Sequence, residues 1–68
     1  MSNAQQVAAQ LNTHRIKQGR SVLWLHRETG IPYKGLLEQI KGRRPITLET
    51  TCETARALGI DFRELATS

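Results

Sequence analysis

The amino-acid sequence predicts an all-α fold, a compact bundle of five short helices, and three observations lead there. Glycines at 19, 30, 35, 42 and 59 and prolines at 32 and 45 cut the 68 residues into segments too short for anything but small helices. Apolar and polar residues nowhere alternate strictly, which argues against strands. The apolar content is mostly Leu, Ile, Val and Ala, with Trp24, Tyr33 and Phe62 the only aromatic residues, and this composition suits helix packing. The length allows one domain over residues 1–68 with one small core, ordered between residues 4 and 66.

The first helix is expected from Ala4 to Gln18, with Asn3 as its N-cap and Val7, Ala8 and Leu11 as its apolar stripe. Gly19 ends it. Ser21 caps a second helix that stops near Thr29-Gly30. Pro32 opens a third, Tyr33 to Lys41, because a proline in the first turn removes no intrahelical donor. Gly42 closes it, and Arg43 to Ile46 form a loop. Thr47 caps a fourth helix that runs to Leu58 and ends at Gly59. Asp61 and Glu64 stand at capping-box spacing and open a short fifth helix with Phe62 and Leu65 inward. None of these helices is long enough to stand alone, so each must bury its stripe against the others.

The net charge of +4 is unevenly spread. Between residues 15 and 44, Arg15, Lys17, Arg20, Arg27, Lys34, Lys41, Arg43 and Arg44 face only Glu28 and Glu38, a local +6. From residue 45 onward, Glu49, Glu53, Asp61 and Glu64 outweigh Arg56 and Arg63, a local −2. One half is thus suited to a polyanion and the other to support. The single cysteine, Cys52, allows no internal disulfide and fits a reducing compartment. One thiolate with His14 and His26 does not make a zinc site, so no metal or cofactor is expected. No apolar run has membrane-spanning length, and no signal-peptide pattern is present. No nucleophile–base pair stands at useful spacing, so an enzyme is not expected.

The second and third helices flank a turn holding Gly30, with Leu25 before it and Ile31 and Leu36 after it. This pattern builds a bihelical unit: the glycine reverses the chain and the aliphatics lock the angle. From Leu11 to Leu65 the chain resembles the lambda repressor/Cro-like family of helix-turn-helix domains. The resemblance rests on Ser21, Leu25, Gly30-Ile31, Leu36, Gly42, Leu48-Glu49-Thr50, Ala55, Ala57-Leu58-Gly59 and Glu64-Leu65, which fall at the family's spacings without a gap. It implies a five-helix bundle whose third helix enters the major groove of double-stranded DNA. Repressors of phages, Cro-like proteins and antitoxins share this fold, so the implied function is a cytoplasmic, nucleoid-associated transcription regulator that binds a palindromic site as a homodimer.

Four departures from the family pattern stand out. Pro32 replaces a capping Ser or Thr. Ile40 replaces a Glu that pairs with an arginine such as Arg15, leaving Arg15 to find another partner or a phosphate. His14, Thr29 and Thr51 replace larger aliphatics, which thins the core. Val22 replaces a polar residue that touches the DNA backbone.

By this resemblance Tyr33, Lys34, Leu37 and Glu38 meet base edges. Lys34 is suited to donate to guanine, Glu38 to accept from cytosine N4, and Leu37 to pack on a thymine methyl, whereas Tyr33 could reach a base or a phosphate. Lys41, Arg43 and Arg44, close to Gly42, suit phosphate oxygens, as do Lys17, Arg20 and Gln39. The competing reading is that Tyr33 and Leu37 are bundle residues and the cations merely solvated. Gly35 lies inside a helix, where a close approach to the second helix near His26 would explain it. Cys52 falls among fourth-helix core positions and reads as a small buried hydrophobe, and His26 reads as structural.

Trp24 sits in Val22-Leu23-Trp24-Leu25, a run that no single helix face can bury. It either folds over the bundle surface or contacts a partner subunit, a second protein or the sugar-phosphate backbone. The alternative function is accordingly a protein–protein adaptor on the same bundle, with Trp24 and its neighbours as the docking patch.

Overall fold

The computed structural model describes residues 4–66, apart from the side chains of Ala4, Phe62 and Ala66. The cap expected of Asn3 and the inward placement of Phe62 lie outside the described residues. Five helices and no strand are present among them: α1 Ala4–Lys17, α2 Val22–Thr29, α3 Tyr33–Ile40, α4 Leu48–Leu58 and α5 Phe62–Ala66. The order and bounds agree with expectation to within a residue, the ordinary uncertainty of a helix end.

Local chemistry fixes the ends. The hydroxyls of Ser21 and Thr47 accept from the N–H groups of Trp24 and Thr50, satisfying donors that the first turn leaves free. Pro32 caps α3 with no side-chain hydrogen bond. At the other ends, α1, α3 and α4 close by the same six-residue wrap. The N–H groups of Arg20, Arg43 and Ile60 reach back to the carbonyls of Arg15, Glu38 and Ala55, at 2.8–3.0 Å.

The helices pack α1 on α4 and α3, α2 on α3 and α4, and α5 on α1 and α4, in a body of 30 × 23 × 18 Å. Leu11, Leu25, Leu36 and Ile40 are the largest aliphatics in the centre, with Val22, Ile31, Ala55, Leu58 and Leu65 around them. Within the run 22–25, Val22 and Leu25 face inward, Leu23 is exposed and Trp24 lies half-buried against the core. A side-chain tie closes the base of the bundle: Gln18 Nε2 donates to the carbonyl of Leu58 at 2.8 Å, linking the ends of α1 and α4. At the start of α5, Asp61 accepts from the side chain and the backbone N–H of Arg63, which hold its carboxyl below the usual carboxylate range. That contribution is present at neutral pH and fades as the pH falls through the lowered value.

Two expectations about packing are corrected. Cys52 is exposed, not buried. The buried stripe of α4 is Thr51, Thr54, Ala55 and Leu58, joined by Thr50, and position 52 stands about 100° round the helix from 51. Gly35 makes no close approach to α2: a Cβ there would meet only Gln39 Nε2, at 4.0 Å.

The threonines make the core partly polar. Thr51 donates to the Thr47 carbonyl, and the Thr47 hydroxyl donates to that of Thr50. Thr54 is 0% exposed and its hydroxyl has no hydrogen-bond partner among the described residues. A buried unpaired hydroxyl costs about 1–3 kcal/mol. Thr54→Val keeps the shape and removes the polar group. It should raise the unfolding free energy by about 1 kcal/mol, read by urea denaturation. A loss of stability would mean that the hydroxyl is satisfied in solution.

Candidate functional site

The outward surface of α3 is set by what its inward face must bury. Leu36, Gln39 and Ile40 point into the bundle, which turns Tyr33, Lys34 and the capping residue Lys41 outward and leaves Leu37 and Glu38 at the margin between the two sides. The corner between α2 and α3 holds that orientation. Gly30 takes the left-handed backbone conformation, φ +75°, which a side chain would strain, and its N–H closes α2 on the His26 carbonyl.

Two side chains then seize Ile31. The Thr29 hydroxyl accepts from the Ile31 N–H at 3.2 Å while donating to the Leu25 carbonyl at 2.7 Å. His26 Nδ1 lies 2.7 Å from the Ile31 carbonyl, so this nitrogen carries the proton and donates it. The His26 ring also meets Tyr33 edge to face, centroids 6.2 Å apart. Ile31 itself is buried. The smaller Thr29, read from sequence as a loss of core volume, is therefore a corner hydrogen-bonding residue, and His26 is structural.

The residues expected to read bases do not share one environment. Tyr33 and Lys34 are exposed. Leu37 is half-buried and packs against the core, so part of its surface is already occupied. Glu38 is half-buried and pairs with Arg44 at 3.4 Å, so one expected base contact and one expected phosphate contact hold each other. An exposed pair of this kind is worth about 0–1 kcal/mol and exchanges readily for a stronger partner.

Of the residues expected at phosphates, Lys17, Arg20, Lys41, Arg43 and Arg44 are exposed. Gln39 is not. It is 8% exposed, and its Oε1 accepts from the Thr47 N–H at 2.9 Å across the α3–α4 loop. Gln39 is thus a correction: it tethers the loop that carries Lys41, Arg43 and Arg44 instead of facing outward. Ile46, half-buried against the core, is the second anchor of that loop.

Three features were not read from sequence. Arg15, left without the family's glutamate, is held by Asn12 Oδ1 at 2.9 and 3.0 Å and donates to the Arg20 carbonyl at 2.8 Å. Arg20 stacks its guanidinium 4.4 Å from the centroid of Trp24. Arg27 is exposed on α2, with no ion pair among the described residues. An Arg or Lys four residues before a tryptophan was the one available signal for the stack.

The remaining chemistry is sparse. A cleft of about 330 Å3 lies between α1, at Ala8 and Asn12, and the end of α3, at Ile40 and Lys41. Among the described residues no three His, Cys, Asp or Glu side chains converge as metal ligands, and no helix is long and apolar enough to cross a membrane. Comparison with protein-family models, with curated proteins and with solved structures gives no match.

The tether can be tested alone. Gln39→Leu keeps the apolar packing but removes the acceptor for Thr47. Hydrogen exchange of the Thr47 amide should quicken about tenfold, the equivalent of one hydrogen bond, with α1 unchanged. An unchanged Thr47 rate would remove the tether from the account.

Proposed function

We propose that the chain is a sequence-specific double-stranded DNA-binding regulator of the lambda repressor/Cro-like helix-turn-helix type. In this reading α2, the Gly30 corner and α3 are the helix-turn-helix, and α3 enters the major groove. One observation carries the proposal. The outward face of α3 presents Tyr33, Lys34 and Lys41 unburied, and Arg43 and Arg44, just past Gly42, are also exposed, with Glu38 the single acid from 33 to 44. Any surface helix has a solvated polar face, but this density of exposed cations with one acid suits a groove lined by phosphates.

Division of labour follows from reach and chemistry. Lys34 donates to guanine O6 or N7, and Tyr33 lies beside it at the start of the helix. Lys41, Arg43 and Arg44 clamp phosphates on the rim of the groove, and Lys17 and Arg20 hold the backbone at the entry to α2. Glu38 reads cytosine N4 once Arg44 turns from it to a phosphate. The half-buried placement of Leu37 leaves it the smaller share of any base contact. The domain acts by occupying its site, as a homodimer on a two-fold symmetric operator with half-sites about one helical turn apart. The alternative, a protein–protein adaptor docking through Trp24 and its neighbours, has less open apolar surface to use, since the Arg20 guanidinium lies over the Trp24 ring.

Selection of bound sequences from a random duplex pool tests the proposal, followed by anisotropy titrations of a selected and an unrelated duplex. Lys34→Ala should cost about 1–3 kcal/mol on the selected duplex and relax one position of the consensus. Arg43→Ala should weaken both duplexes alike and lower the salt slope by about one. Failure of the wild-type chain to bind any duplex at low salt would sink the proposal. An unaltered consensus with Lys34→Ala would remove α3 as the reading helix.

A further inference from the structure

We infer that Trp24 is a positioning residue for phosphate. It holds the Arg20 guanidinium by its flat face so that the edge is turned free toward a phosphodiester of the bound duplex. The inference rests on the DNA-binding reading and adds to it a residue that reading leaves idle.

The geometry begins with the backbone. The Arg20 N–H donates to the Arg15 carbonyl at 3.0 Å, and Arg15 Nη1 donates back to the Arg20 carbonyl at 2.8 Å. Arg15 is itself fixed by two bonds to Asn12. Arg20 thus leaves α1 on a backbone held from both of its own polar groups. One residue later Ser21 caps α2 through the N–H of Trp24, which fixes Trp24 relative to Arg20. Trp24 is half-buried against the core, and the Arg20 guanidinium carbon lies over its ring, 4.4 Å from the centroid.

Stacking and hydrogen bonding use different parts of a guanidinium. A guanidinium lying flat over an aromatic ring uses its π face there, while its N–H donors lie in its plane and stay available to an anion. None of these donors makes a hydrogen bond or ion pair among the described residues, and Arg20 is exposed. Nor does the neighbourhood in sequence supply an acid. Residues 1–27 contain no Asp or Glu, while Arg15, Lys17, Arg20 and Arg27 all fall within them. The donors of Arg20 are thus open to an anion from outside the chain, and a phosphodiester fits the planar fork.

The stack also removes rotamer freedom from Arg20 before binding, and this gives Trp24 its measurable effect. A cation–π contact at an exposed site is worth about 0.5–1 kcal/mol, so losing it should weaken binding about threefold.

A double-mutant cycle tests this on the full chain, using anisotropy of a labelled duplex. Trp24→Leu should weaken binding about threefold, and Trp24→Tyr, which keeps an aromatic face, should restore most of it. Arg20→Ala should weaken binding and lower the salt slope by about one. In the Arg20→Ala background Trp24→Leu should have no further effect. An equal loss from Trp24→Leu in both backgrounds would overturn the inference, because Trp24 would then act through the fold alone. An unchanged affinity and salt slope with Arg20→Ala would also overturn it.

A second arm needs no DNA. Trp24 is the one tryptophan, so its emission reports the stack directly, and Arg20→Ala should shift the spectrum of the free chain. An identical spectrum would overturn the stack even if duplex binding stands. Silence of the wild-type chain toward every duplex would instead overturn the DNA-binding reading, and this inference with it.

Discussion

Everything presented on the outside of α3 depends on the capture of Ile31 at the corner between α2 and α3. Its side chain is buried, its N–H is taken by Thr29 and its carbonyl by His26. Gly30 supplies the reversal, but the reversal alone leaves the crossing of the two helices loose. The two side-chain bonds and the buried aliphatic remove that freedom, and the edge-on contact of His26 with Tyr33 carries the same restraint into the first turn of α3. In a chain this small a fixed corner matters more than usual, because one thin core with several threonines on its α4 wall has little spare stability.

The same economy recurs on either side of the corner. Arg15 and Gln39 are long polar side chains on the edges of the bundle, and both serve as braces. Arg15 ties the last turns of α1 to the link before α2, and Gln39 ties α3 to the loop before α4. Each brace stands next to exposed cations: Arg20 beyond the first, Arg43 and Arg44 inside the second. Under the proposed function this is a useful arrangement. A cation on a fixed backbone loses less entropy on meeting a phosphate than one on a free loop, so more of its charge interaction appears as affinity.

Helix ends were legible because their chemistry is local. Ser21, Thr47 and the glycines that close α1, α3 and α4 act within six residues, and the stripe of Val7, Ala8 and Leu11 needs only the helical period. Misreadings came where a residue type was weighed without its angle or its distant partner. Cysteine is commonly buried, yet position 52 stands off the stripe defined by Thr51, Thr54, Ala55 and Leu58. Gln39 reads as a polar surface residue until its partner eight positions on, Thr47, is in place. For Trp24 the sequence leaves open whether the ring folds over the bundle or meets a partner, and its packing against the core with Arg20 above it is not legible there. Nor does the sequence tell that Glu38 and Arg44, both assigned to DNA, begin as each other's partners.

Under the proposed function, the face held out by the Ile31 corner is the one that meets DNA. Amide chemical shifts followed during titration with a selected duplex test it residue by residue. Large, saturable shifts are expected from Tyr33 to Arg44 and around Arg20 to Trp24, with Glu49 to Arg56 on α4 nearly unmoved. Shifts centred on α4, or shifts spread evenly over every exposed cation and abolished by modest salt, would contradict it.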